Sequence, residues 1–231
     1  MVRVAAPLRE QVIAALRQAI LNFRFKPGQR LVERELIEML GVSRTTVREA
    51  IRELSSEGLV TVVPQKGAIV SAPSVDEAMD LYDVRATLEA LIVERFVQRA
   101  SQSQVITLDA AVERFAEVGQ AESDIQTLLN TKDKIFEVLI EGAGSPALRQ
   151  IVEGIQARVR ILRATSMSGS GRLEESVKEL RLIVEAVRAR DGQLAAERYA
   201  QHIRKAAESA IAHLGKIEET DKIALSPVPD V

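Results

Sequence analysis

The stretch Glu33–Val70, ERELIEMLGVSRTTVREAIRELSSEGLVTVVPQKGAIV, decides the fold of this 231-residue chain. Two short helical patterns flank Gly41-Val42. The first runs from Glu33 to Leu40 and carries Leu36, Ile37, Met39 and Leu40. The second opens at Ser43, whose hydroxyl can accept a backbone N–H left orphaned at a helix start. It then sets Val47, Ala50, Ile51 and Leu54 at helical spacing as one apolar stripe. Gly58 follows the last turn and suits a left-handed exit. Two helices about a tight glycine-containing turn form the helix-turn-helix signature.

Arg44, Thr45, Thr46, Arg48 and Arg52 lie off the apolar stripe of the second helix. Such a face fits a major groove, with the N-terminal residues nearest the base edges. Arginine can bond bidentately to guanine, and threonine can meet a phosphate or a thymine methyl. Leu59–Val63 and Ala68–Ser71 then read as two strands joined by Pro64-Gln65-Lys66-Gly67. A basic, glycine-tipped hairpin beside a recognition helix is a wing, placed to reach a backbone or the adjacent minor groove. The competing reading, that the arginines only solvate a surface helix, does not explain why turn, cap, stripe and wing follow one another in this order.

Charge distribution agrees with a nucleic-acid-binding head. The formal net charge of −2 alone argues against nucleic acid. Residues 1–73, however, carry a net of +4 and residues 74–231 a net of −6. That asymmetry is expected where only the head meets phosphate. The chain has no cysteine, which excludes disulfides and thiolate metal sites. No apolar run approaches a membrane span, and Arg3, Arg9 and Glu10 interrupt any signal-peptide core, so a cytoplasmic protein is expected.

Outside the organising stretch, residues 8–23 read as a helix with Leu8, Val12, Ala15, Leu16, Ala19 and Ile20 on one face. Phe25-Lys26-Pro27-Gly28 is a turn signal. Residues 1–72 are therefore expected to form a winged helix-turn-helix domain. After Ala72-Pro73-Ser74 no strand pattern appears. Six helices are expected, at about 75–101, 104–121, 124–142, 145–167, 173–190 and 192–215. The fold class is mainly α: a winged helix-turn-helix with a small hairpin, then an all-α six-helix bundle over 73–215. Residues 216–231 show no apolar period and are expected to be a mobile tail.

In the second domain, ionisable residues interrupt the apolar stripes. Arg85 sits between Leu81, Leu88 and Ile92. Asp133 sits among Leu129, Phe136 and Ile140, and His202 among Ala195, Tyr199 and Ala206. Charges in an apolar interior are costly unless paired, and helical bundles build ligand sites this way. The structural reading is a buried Arg85–Asp133 ion pair with His202 as a spectator. The functional reading is an effector cavity. Arg85 would clamp a carboxylate in a forked geometry, while Asp133 and His202, joined by Glu137, would orient it.

The motif PGQRLVERELIEMLGVSRTTVREAIRELSSEGLV and the wing behind it resemble the GntR family of bacterial transcription regulators over nearly all of residues 8–72. The segments DLYDVRATLEA (80–90), DKIFEVL (133–139), SVKEL (176–180) and AERYAQHI (196–203) resemble its FadR-like branch, whose C-terminal module is called FCD. The resemblance implies a homodimer on a short palindromic operator, not an enzyme. It implies DNA contacts from Arg34, Arg44, Thr46 and Arg48, with Gly67 at the wing tip; Thr45, Arg52 and Lys66 flank them. It also implies that a small organic acid or related metabolite modulates DNA affinity. Many FCD domains hold a divalent metal through an Asp, a His four residues later and two further His. Here those positions are Asp133, Glu137, Leu180 and His202, so at most a weak metal site at Asp133, Glu137 and His202 remains. A metal-free pocket is the working expectation. The rival readings are a constitutive dimeric DNA binder with a non-sensing helical domain, and a metal-dependent hydrolase fused to a DNA-binding head.

Overall fold

The computed structural model describes residues 7–121, 123–167 and 171–224. The chain divides into two compact units, the first made of the residues up to Ala72 together with Gly154–Arg158, the second of Pro73–Glu153 and the residues from Val159 on.

In the first unit, α1 (Leu8–Leu21) and α2 (Glu33–Leu40) pack on α3 (Arg44–Ser56), which meets a three-stranded antiparallel sheet. Leu16, Leu36, Val47, Ala50 and Leu54 are buried between the helices. Ser43 caps α3, its hydroxyl accepting the Thr46 N–H at 3.2 Å. Gly41 ends α2 at φ 65°, the left-handed conformation that turns the chain toward α3 without a Cβ clash. Strands β2 (Val60–Val63) and β3 (Gly67–Val70) form the wing. Val63 pairs with Gly67, leaving a three-residue tip. A third strand, β1 (Arg30–Leu31), makes the sheet order β1-β3-β2. Strand β1 is an addition to the sequence reading: it pairs with β3 through Arg30↔Ile69 and Leu31↔Ala68. Two residues carry no detectable alternation, so nothing local announces it.

The second unit holds α4 (Val75–Arg99), α5 (Gln102–Gln120), α6 (Ile125–Ala143), α7 (Pro146–Met167), α8 (Arg172–Arg188) and α9 (Gly192–Ala224). Capping boxes at Ser74/Glu77 and Ser101/Gln104 start α4 and α5, and Asp124 caps α6. Phe96, Phe115, Leu139, Leu162, Val187 and Ala195 lie in one continuous buried core. Helix α4 packs on α9 and α6, and α5 on α6 and α8.

The six helices stand near their expected bounds, with one correction. Helix α9 continues to Ala224 instead of stopping near 215. A single Gly215 costs a helix only about 1 kcal/mol, and no proline follows until Pro227. Residues 225–231 of the expected tail lie outside the described residues, as do residues 168–170 of the expected break between α7 and α8.

Candidate functional site

Helix α3 presents three faces. Val47, Ala50, Ile51 and Leu54 are buried. Glu49, Glu53 and Glu57, four residues apart, form a second row turned to α1. Arg9 pairs with Glu49 and Glu53, at 3.6 and 3.1 Å, and Arg17 Nε donates to Glu57 at 2.7 Å. Arg44, Arg48 and Arg52 form the third row, and all three are exposed. The acids of this helix are thus neutralised on one side and its arginines stand toward solvent on another. Thr45 is also exposed; Thr46 is half-buried, its hydroxyl 2.9 Å from Ser43 Oγ in the cap.

Arg48 differs from its neighbours. Its Nε donates to both oxygens of Glu33, at 2.9 and 3.1 Å, tying α3 to α2. Arg34 on α2 and Lys66 at the wing tip are exposed. Gly67 is half-buried at φ 87°, which lets the hairpin close. Among the described residues, Arg34, Arg44, Arg52 and Lys66 make no recorded ion pair. The resulting surface offers cations on a rigid helix with a basic loop in the same unit, the electrostatic footprint of a duplex-binding face.

The helical unit holds a charged core in two clusters. In the first, Arg85 and Glu89 are both buried on α4, with Nε 3.1 Å from Oε1. The Arg85 guanidinium lies over the Tyr82 ring, 5.0 Å from its centre. Arg163 of α7 approaches Glu89 at 3.8 Å and donates to Asp133 at 2.7 Å. Asp133 is also bonded to Arg160. The Arg85–Asp133 pair of the structural reading does not form: Arg85 pairs with the carboxylate one turn along its own helix, and Asp133, at the rim of α6, turns to α7. Burial, then the charge of Glu89, pushes the Tyr199 phenol up, so Tyr199 stays protonated and donates to Glu89.

In the second cluster, the buried His202 presents Nδ1 to Glu179 Oε2 at 2.6 Å and Nε2 to Lys132 Nζ at 2.9 Å. A carboxylate only accepts, so Nδ1 carries the proton and Nε2 accepts from the lysine. Lys132 Nζ also donates to Ser176 Oγ at 3.1 Å. Arg172 donates to Glu179 at 2.9 Å, and Lys205 lies 3.1 Å from the same carboxylate. Burial, then the charge of Lys132, pushes the His202 imidazole down to about 3, with Glu179 pulling the other way. Burial would raise the Glu179 carboxyl, but the His202 and Arg172 contacts outweigh it and hold it at about 2. The Lys132 amine lies well below the usual lysine range, through burial first and then the charges of Arg163, Arg172 and Arg85.

Of the four effector candidates, Arg85 and His202 are in the interior and Asp133 is at its edge. Glu137 is not brought there. It is exposed and its carboxylate is 2.5 Å from Lys134 on the same face of α6. Lys132, Glu89, Arg163, Arg172 and Glu179 were not singled out from the sequence. Lys132 stands three residues after Leu129 and four before Phe136, so the stripe arithmetic that selects Asp133 selects Lys132 equally well.

Comparison with known proteins joins the two halves. Residues 8–70 match the profile of bacterial regulatory proteins of the gntR family, and residues 80–205 match the FCD domain.

The chain belongs to the GntR family.

Similar proteins include the uncharacterised HTH-type transcriptional regulator YdhC of Bacillus subtilis, 26% identical over 94% of this chain and 95% of that protein. The HTH-type transcriptional repressor RspR of Escherichia coli is 24% identical over 88% and 89%. The repressor GlaR of the same species is 29% identical over 81% and 89%. Among solved structures, E. coli McbR/YncC shares the fold at a TM-score of 0.75 and 22% identity, over 93% of this chain and 100% of that one. This GntR-family chain is thus a DNA-binding transcriptional regulator of the FCD type, and no helix among the described residues is long and apolar enough to cross a membrane.

Proposed function

We propose that this GntR-family regulator acts as a homodimer on a palindromic operator in the cytoplasm and that a small carboxylate bound in its helical core changes its operator affinity. Arg44, Thr45, Arg48 and Arg52 of α3 enter the major groove, with Thr46 at the cap. Arg34 and the Lys66-Gly67 wing meet the backbone or the neighbouring minor groove. Two relatives named as repressors favour repression as the direction of control.

One observation carries the effector reading. Among the described residues the core leaves buried guanidinium donors without hydrogen-bond partners, Arg85 Nη1, Arg163 Nε, and Arg172 Nε and Nη1, and they outnumber the carboxylate oxygens in the same position, Glu89 Oε2 and Glu179 Oε1. An unsatisfied buried donor costs about 1–3 kcal/mol, more when charged. An anionic ligand accepting from these groups would remove that cost. A domain needed only for dimerisation gains nothing from them, since apolar side chains of similar volume serve packing at least as well.

The test is calorimetry and operator gel-shift with a panel of small carboxylates. A binding carboxylate is expected to alter operator affinity, and operator DNA must alter carboxylate affinity by the same factor. Binding of the operator with no response to any acid would favour the constitutive reading.

A further inference from the structure

The residues that the FCD resemblance assigns to a metal do not assemble a metal site here. Asp133 is engaged by Arg160 and Arg163. Glu137 faces solvent beside Lys134. Leu180 is buried and offers no donor. His202 Nε2, the lone pair an ion would need, points at Lys132 Nζ. Among the described residues, no group of three His, Asp or Glu side chains is arranged to hold an ion.

We propose that Lys132 is the cationic anchor of the effector, taking the place of a metal ion, so that carboxylate binding by this chain needs no metal. The proposal rests on the effector reading above.

The geometry around Nζ supports it. Two of its directions are used, toward His202 Nε2 at 2.9 Å and Ser176 Oγ at 3.1 Å. Both are neutral acceptors, and neither supplies a counter-charge. The Phe115 ring lies 5.0 Å from Nζ and closes another side with an apolar face. A lysine nitrogen has capacity for a third hydrogen bond, and no carboxylate of the chain takes it. Glu179 turns Oε2 to His202 and Arg172 and Oε1 to Lys205. The Arg172 donors that lack partners belong to the same cluster, since Arg172 shares Glu179 with His202. A carboxylate has two oxygens and can accept from a lysine and an arginine together. His202 is the positioning residue: Glu179 fixes its tautomer, and that tautomer turns an acceptor toward Lys132.

The test uses the full-length chain, stripped of metal on a chelating resin. EDTA is avoided because it is itself a carboxylate. Metal content is checked by elemental analysis. Acetate, succinate, malate, citrate and inorganic phosphate are then titrated by calorimetry and thermal shift. At least one carboxylate is expected to bind stripped and untreated protein alike. Lys132→Met, which keeps length and removes charge, is expected to weaken that binding at least about tenfold, while its unliganded melting temperature stays level or rises. Lys132→Arg is expected to retain part of the affinity.

Binding that disappears on stripping and returns with a divalent ion would overturn the proposal. So would undiminished binding in Lys132→Met, or a marked loss of unliganded stability in that variant, which would make Lys132 structural. Binding of phosphate but of no acid would overturn the carboxylate class. Silence of the wild-type chain toward the whole panel would instead remove the effector reading, and the anchor with it.

Discussion

Lys132 and Asp133 are neighbours separated by about 100° around α6. One is buried and the other lies at the rim. An apolar stripe is itself about that wide, so periodicity could not decide which of the two charges faces inward. The same limit hid Glu89. A carboxylate one turn beyond Arg85 looks like an ordinary surface pair until the burial of both is seen. The exposure of Arg44, Arg48 and Arg52 was easier to read, because arginines on a helix whose opposite face is apolar have only solvent to turn to. Replacing Arg44 or Arg48 by Ala is expected to cost about 1–3 kcal/mol of sequence discrimination, measured as the ratio of operator to random-duplex affinity. Arg85→Ala takes its nearest cation from the buried Glu89 carboxylate, leaving it Tyr199 and the more distant Arg163, and is expected to cost up to about 3–5 kcal/mol of stability in urea denaturation. Restoring an apolar pair with Arg85→Met and Glu89→Leu together should recover most of it.

At the scale of elements, the helix starts were legible because caps are local chemistry. Ser43 was read as a cap and forms one, as do Ser74 and Asp124, whereas the Ser101 cap, which starts α5 two residues before the expected 104, was missed. Ser43→Ala is expected to cost about 1 kcal/mol, with the loss appearing in the unfolding of the DNA-binding unit. Helix α6 held something that local reading missed. Gly142 belongs to the last turn of α6 as well as to a break between helices. A Cβ there would stand 2.4 Å from two ring atoms of Phe96 on α4. The glycine sets how closely the two helices approach. Gly142→Ala is therefore expected to destabilise by about 1–3 kcal/mol through overpacking, although alanine is the better helix former. Measured stabilisation would mean that α4 and α6 can separate freely.

At the scale of the whole molecule, the head is cationic and the body anionic. That division was plain in the sequence, whereas which charges lay inside the body was not, since burial is set by contacts between helices far apart in the chain. The acid sensitivity of the fold follows from the interior. His202 takes a proton near 6.5 when unfolded and only near 3 when folded. The unfolded chain therefore binds more protons between those values, and stability falls as pH drops from about 6.5 toward 3. Glu179 adds to the loss, from its ordinary 4.5 down to about 2. Denaturation midpoints across this range should show the decline, and His202→Gln should flatten its upper part.

The crowding of like charges at Lys132, Arg163, Arg172 and Arg85 has one more consequence. Glu89, Asp133 and Glu179 hold the three arginines in ion pairs, whereas Lys132 meets only neutral acceptors. Amide protons along α6 and α8 should then exchange with solvent fastest in the protein alone, and occupancy of the core should slow them more than those of α5. If the proposed carboxylate binds, the first sign of it would be this slowing of exchange.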